Sequence, residues 1–145
     1  MSETARITTL EFEGLLAQML PTGGDYPCSV ISLGWGEAVV RLAYRDNQLR
    51  PGGTLSGPTM RTLADTALYG AVLSRIGLEP LAVTSDLDIH FLRKPEPRAL
   101  VARAKMLRVG RRNAVGTVEI ASEGEEHGTL GPALVAHATG TYAIP

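Results

Sequence analysis

Two residues at the start of a predicted long helix have the types and spacing for acid–base or carbonyl chemistry. Asp65 is an acid with apolar neighbours, namely Leu63, Ala64, Ala67 and Leu68. In a dry cleft its carboxylate could serve as a general base or a nucleophile, whereas on a solvated helix face it would pair with Arg61. Gly57 precedes Pro58 at a helix-start signal. Its N–H could stabilise a carbonyl oxygen that gains charge, or Gly57 could simply cap the helix.

Two serines and a cluster of arginines are candidate contacts to a substrate. Ser56 could offer its hydroxyl to the substrate or only cap the helix. Ser85 interrupts an apolar strand face, so its hydroxyl either bonds locally or points into a cleft toward the helix. Arg111 and Arg112, with Arg108 nearby, lie at a predicted turn. Such a turn is usually solvated, but guanidinium groups also suit the phosphates of a large anionic substrate.

Other common catalytic groups lack the required sequence pattern. The three histidines have no metal-ligand spacing, and the serine-nucleophile pattern G-x-S-x-G is absent. Cys28 has no evident base partner. We therefore expect neither a metal nor a cofactor.

Composition narrows the class of protein. The chain has 145 residues, enough for one domain spanning residues 1–145, and a net charge of −1. That charge gives no reason to expect nucleic-acid binding. No apolar run approaches the roughly 20 residues of a membrane span, and the N-terminus lacks a secretion-signal pattern. With a single cysteine, these features predict a cytoplasmic protein that does not bind membranes.

Hydrophobic periodicity predicts an α+β fold. A short helix is expected over residues 8–20 and a long one from Pro58 to near Gly77. The segment 45–55 and the stretch 122–132 are expected to be loops. Alternating apolar positions predict strands over residues 27–33, 37–45, 81–92, 99–108, 113–121 and 133–143. Such strands form an antiparallel sheet with one apolar face, here about six strands curled around one central helix. One helix leaves part of that face and the sheet edges uncovered, so we expect self-association.

Two motifs resemble a known family. The segments GGTLSGPTMRTLADTALYGAV and VTSDLDIHFLRKP are similar to those of the hotdog-fold acyl-CoA thioesterases, in particular the phenylacetate-pathway branch. The resemblance runs from about Cys28 to Tyr142. It implies a hotdog fold and hydrolysis of an acyl-CoA thioester. In that family the aspartate of L-A-D-T-A attacks the thioester or activates water, and the glycine N–H at the helix start polarises the carbonyl. Those roles fall on Asp65 and Gly57.

The resemblance also implies partners. The family forms dimers, often dimers of dimers, with active sites shared between subunits, so the strand 81–92 would come from the other subunit. Arg111 and Arg112 would then meet the phosphates of coenzyme A. Ser56 and Pro58 occupy the positions of the family's motif histidine and second glycine. These two replacements alter residues that would position the substrate.

These observations leave two main hypotheses for the function. The first is acyl-CoA hydrolysis by Asp65, with Ser56, Pro58 and Ser85 contacting the substrate. The second is a non-catalytic hotdog protein that binds or senses acyl-CoA, which the replacements at Ser56 and Pro58 motivate. A hotdog hydratase or dehydratase is disfavoured, because no His/Asp pair has the spacing of those enzymes.

Overall fold

A computed structural model describes residues 4–19, 28–44, 49–50, 54–55 and 57–145. Within those ranges the chain forms two helices, α1 (Thr9–Gln18) and α2 (Gly57–Ile76). The strands are β1 (Cys28–Gly34), β2 (Glu37–Leu42), β3 (Leu49–Arg50), β4 (Thr54–Leu55), β5 (Val83–Phe91), β6 (Leu100–Val109), β7 (Asn113–Glu123) and β8 (Leu130–Ala143). In the described part of the chain, no helix combines the length and apolar character that a bilayer crossing requires.

Six of these strands form one antiparallel sheet in the order β1-β2-β6-β7-β8-β5, with α2 packed against it. The predicted α+β architecture, a curved sheet around one long helix, is therefore confirmed. Strands β1 and β5 lie at the two edges of the sheet, and β3 pairs only with β4. The outer edge of β5 has no strand partner within the described chain, and β5 runs beside α2, which carries the candidate site residues.

Helix α2 is buried along most of its length because small residues let it approach its neighbours closely. A Cβ added at Gly70 would lie 2.8 Å from the Phe12 ring and 3.2 Å from the Ala38 Cβ. The helix ends at Gly77, which has φ +89°, and the Gly77 N–H bonds to the Leu73 carbonyl. Such a left-handed residue is best supplied by glycine. The position and direction of α2, which carries the candidate site residues, are thus specified at both its middle and its end.

Helix α1 begins as its sequence predicts. Thr8 caps it by accepting a hydrogen bond from the Glu11 N–H at 3.0 Å, and the Glu11 carboxylate accepts one from the Thr8 N–H at 2.9 Å. This reciprocal pair is a capping box. Phe12 and Leu16 face the core, and the Phe12 ring packs edge-on against Tyr69 with centroids 5.8 Å apart. Helix α1 therefore covers the part of α2 that lies beside Asp65.

Two segments predicted as loops contain strand. The segment 45–55 includes the short strands β3 and β4, which the prediction missed because two-residue strands cannot show a hydrophobic period. In the stretch 122–132, β7 continues to Glu123 and β8 begins at Leu130, and these two residues pair. The Glu123 carboxylate binds Arg41 at 2.7 Å and the Gly128 N–H at 2.7 Å. These contacts explain why so polar a segment is still ordered against the sheet.

Candidate active site

Asp65 lies on α2, half-buried, where its carboxylate is held by two hydroxyl groups. Oδ1 accepts hydrogen bonds from Thr84 Oγ1 and from the Tyr142 hydroxyl, each at 2.7 Å. The Tyr142 hydroxyl also lies 3.2 Å from the Asp65 carbonyl oxygen. Among the described residues, Oδ2 has no hydrogen-bond partner, and Asp65 forms no ion pair with Arg61. The arrangement matches the cleft hypothesis for Asp65 better than the surface ion pair.

A β-bulge at Ser85 brings Thr84 to this carboxylate. In the pairing of β5 with β8, Thr84 lies opposite Tyr142, whereas Asp86 lies opposite the next residue, Thr141. Ser85 is the extra residue. Beyond the bulge Leu87 faces α2 as expected, but before it the inward residue is Thr84. Sequence alternation therefore missed Thr84, because a bulge reverses the side-chain faces without changing the residue types.

Ser85 is exposed, and its hydroxyl donates to the Thr141 carbonyl at 3.3 Å. Of the two alternatives for this residue, the structure shows the local hydrogen bond. Val83, which the regular alternation also places on the inner face, is 57% exposed. The bulge explains both differences from the predicted pattern.

The ring of Tyr142 is fixed by its neighbours. It stacks on Tyr69 with centroids 5.5 Å apart and planes 10° apart, and Tyr142 is only 3% exposed. Burial, followed by the charge of Asp65, raises the pKa of Tyr142 above its ordinary value. The phenol therefore stays protonated and keeps donating to the carboxylate.

A cavity of about 300 Å³ opens beside this carboxylate. Its wall is mainly apolar and aromatic, and its polar groups are the Asp65 carboxylate and the hydroxyls of two threonines and two tyrosines. The lining residues are Leu16, Met19, Asp65, Thr66, Tyr69, Ala82, Val83, Thr84 and Tyr142. A mostly apolar recess with a few convergent polar groups is typical of a small-molecule site.

Gly57 lies at the N-terminus of α2, away from Asp65, and lines a different cavity of about 310 Å³. It is the first residue of α2, one position earlier than predicted, so Pro58 is the second. Asp65 lies eight positions after Gly57, which corresponds to about 12 Å along a helix axis. One copy of the chain therefore cannot place the Gly57 N–H and the Asp65 carboxylate on the same carbonyl group.

Two cations share the cavity of Gly57. Arg93 and Lys94, which follow β5 after Leu92, line it together with Phe91, and both are exposed. Within the described residues neither has a carboxylate partner, since the nearby Arg98 is the residue that pairs with Glu96. These two cations were not among the residues predicted from the sequence. The sequence did contain a signal for them, because Arg93 and Lys94 are a basic pair that immediately follows the predicted strand 81–92.

The hairpin arginines lie at the opposite end of the sheet. Arg111 and Arg112 line a cavity with Ile144 and Pro145, and the Ile144 N–H bonds to the Arg112 carbonyl at 2.8 Å. Since Val83 pairs with Ala143, this is the Asp65 end of β5. The nine residues of β5 span about 26 Å, so the two basic pairs of one chain are far apart.

Ser56, Pro58 and Cys28 are the other candidates that the sequence raised. Ser56 lies outside the described residues, and Pro58 is exposed in the first turn of α2. Cys28 is buried, and this burial raises its pKa to about 12, which suppresses the reactive thiolate. Within the described residues, no group of His, Cys, Asp and Glu side chains could hold a metal ion.

Comparison with known proteins identifies relatives over most of the chain. The family model of the thioesterase superfamily matches residues 52–129. A candidate thioesterase from Silicibacter sp. TM1040 is 40% identical, with a TM-score of 0.81, over 97% of this chain and 94% of that one. A mutant of the phenylacetic acid degradation protein PaaI from Thermus thermophilus is 32% identical, with a TM-score of 0.69, over 81% and 93% of the two chains.

A third solved structure is also similar to this chain. The PaaI protein of the E. coli phenylacetic acid degradation operon is 28% identical, with a TM-score of 0.69, over 81% of this chain and 79% of that one. A search of curated proteins found no match.

Proposed function

Because the chain belongs to the thioesterase superfamily, we propose that it hydrolyses an acyl-CoA thioester to a free acid and coenzyme A. The observation that carries the proposal is the carboxylate of Asp65, held through one oxygen at the wall of a largely apolar cavity. The acyl group would enter that cavity. The thioester carbonyl would then stand beside Asp65 Oδ2, the oxygen that the described residues leave without a partner.

Two routes use this carboxylate. As a general base, Asp65 takes a proton from water while the water oxygen attacks the carbonyl carbon. The carbon–sulfur bond then breaks, and coenzyme A leaves as a thiolate that accepts the proton. As a nucleophile, Asp65 forms a mixed anhydride and expels the thiolate, and water then hydrolyses the anhydride. Both routes develop negative charge on the carbonyl oxygen, so both need a donor there.

We assign that donor to the Gly57 N–H of a second copy of the chain. The separation of about 12 Å along α2 excludes the same copy. A two-fold axis beside β5 would set two β5 edges antiparallel, so that the Gly57 end of one copy meets the Asp65 end of the other. This edge carries exposed apolar side chains that favour association, namely Leu81, Val83, Phe91 and Leu92. The proposed active unit is thus a homodimer, which further pairing would turn into a tetramer.

The same two-fold arrangement supplies cations for coenzyme A. Arg111 and Arg112 stand at the Asp65 end of one copy, and Arg93 and Lys94 stand at the Gly57 end of the other. We propose that the phosphates of coenzyme A bind among these four side chains, since charge-assisted hydrogen bonds favour phosphate. We also propose that Ser56 and Pro58 contact the substrate.

We also propose that the protein works in the cytoplasm. Its only cysteine, Cys28, is buried and unpaired, which suits a reducing compartment. Measuring the protein in fractionated cells would test this location, and recovery in a secreted fraction would contradict it.

The test of the function is release of free thiol from acyl-CoA by the purified protein. A panel of short, medium, long and aryl acyl-CoA substrates should show turnover with at least one of them. If acyl-CoA substrates raise the melting temperature of the protein but none of them releases free thiol, the result would instead support the binding or sensing module. Since the Cys28 pKa of about 12 keeps its thiol unreactive, a thiol reagent should report coenzyme A with little background.

Substitutions of the basic pairs test the phosphate site. We expect Arg111→Ala/Arg112→Ala and Arg93→Ala/Lys94→Ala each to raise KM for acyl-CoA about threefold to tenfold, because exposed charges contribute modestly. KM for the matching N-acetylcysteamine thioester, which lacks the nucleotide, should stay within about twofold. Lys105→Ala, at an exposed position of β6, is the control that should change neither value. Equal increases for both substrates would contradict a role at the nucleotide end.

A further inference from the structure

We propose that Tyr142 is a positioning residue: its phenol holds Asp65 Oδ1, so that Oδ2 is the oxygen that reacts with substrate or water. This inference rests on the proposed thioester hydrolysis and extends it to a residue outside the family motifs named above. Two hydroxyl groups converge on one carboxylate oxygen, each at 2.7 Å. The other oxygen is left without a partner among the described residues.

The register of the sheet produces this convergence. Thr84 on β5 and Tyr142 on β8 are directly opposite one another, and both face α2. Opposite residues on one face of an antiparallel pair lie close together, so their two hydroxyls reach the same point on the helix. Without the bulge at Ser85, Thr84 would face away from α2 and leave the carboxylate to Tyr142 alone.

The packing around Tyr142 makes its hydroxyl a fixed donor. The ring is almost fully buried and stacked on Tyr69, which in turn packs edge-on against Phe12. The Tyr69 hydroxyl is engaged elsewhere, 3.4 Å from the Glu79 carbonyl. A phenol held by such a stack loses little further freedom when it bonds to Asp65, so the carboxylate plane is set before substrate arrives.

This geometry also gives the two oxygens different roles. Oδ1 receives both donors and keeps its place through the reaction, because it can accept hydrogen bonds as a carboxylate oxygen, a carboxylic acid oxygen or an anhydride carbonyl. Oδ2 takes the proton from water in the base route and forms the bond to carbon in the nucleophilic route. The positioning role of Tyr142 is therefore the same whichever route operates.

The discriminating variant is Tyr142→Phe, which keeps the stacked ring and removes only the hydroxyl. We expect kcat for acyl-CoA to fall about tenfold, the usual effect of losing one hydrogen bond to a charged group, with KM within about twofold. Thr84→Val should act in the same direction, and the double variant should lose more than either.

Tyr44→Phe is the matched control, since it removes a phenol hydroxyl that lies outside the cavity lining. It should leave kcat and KM unchanged. A Tyr142→Phe protein with wild-type kcat would overturn the positioning role, even if its melting temperature fell. Absence of turnover in the wild-type protein would overturn the proposed function instead, and the positioning role of Tyr142 with it.

Discussion

Asp65→Asn should lower kcat for the best acyl-CoA substrate by about 10²–10⁴ while the protein stays folded, the range usual for loss of a catalytic base. The substitution removes the negative charge and the basic oxygen but keeps the shape. The amide oxygen of asparagine can still accept hydrogen bonds from Thr84 and Tyr142 at the position of Oδ1. The measurement is steady-state thiol release, with circular dichroism and thermal unfolding of the same preparation.

The matched control for this variant is Glu125→Gln, which makes the same change from carboxylate to amide. Glu125 is exposed between β7 and β8 and lies outside the cavity beside Asp65. Its replacement should leave kcat within about twofold, because a single exposed charge contributes little. Full turnover in the Asp65→Asn protein would remove Asp65 from the chemistry, and with it the proposed hydrolase mechanism.

Mixing two inactive variants should restore activity if each active site takes Gly57 from one copy and Asp65 from the other. Gly57→Pro removes the N–H at a helix position where proline is tolerated, and Asp65→Asn removes the carboxylate. Each homodimer has no intact site. A mixed dimer has one intact site and one doubly defective site, so an equal mixture refolded together should recover about a quarter of wild-type kcat, given random two-fold pairing.

Gly57→Ala is the control for the glycine variant, because it keeps the N–H. A Cβ at this position would lie 3.4 Å from the Phe91 ring, an ordinary contact, so the alanine protein should stay active. If the refolded mixture shows no more activity than its components, while a mixture of wild type with either variant refolds normally, the shared site is wrong. The same result would exclude the two-fold arrangement along β5.

The sequence predicted the framework because the framework depends on patterns of many residues. Alternation over six strands and the small-residue face of α2 each repeat a signal several times, so single errors do not alter the fold. The short helix predicted over residues 8–20 likewise depends on a local signal, and Thr8 and Glu11 form the capping box at its start. The same reasoning selected Asp65, since an acid among apolar helix residues is unusual wherever it lies.

The details of the candidate site depend on single residues, and there the sequence was a weaker guide. Ser85 was selected because it interrupted an alternation, yet it is the bulge residue, and Thr84 reaches Asp65 in its place. Tyr142 was not selected as a site residue, because the residues around it in the sequence give no sign that its partner is Asp65, 77 positions earlier. Long-range pairings of this kind become visible only when the register of the sheet is known.

The extra residue in β5 also limits how relatives of this protein should be compared. In a homologue without this extra residue, the hydroxyl that reaches the carboxylate would occupy the same place in the fold as Thr84. In an alignment without gaps, however, that residue would be aligned with a different position of this sequence. In relatives, the residue equivalent to Thr84 should therefore be found by superposing the strand that lies opposite Tyr142 rather than by counting along the chain. A serine or threonine that looks unaligned on paper can be the functional equivalent of Thr84.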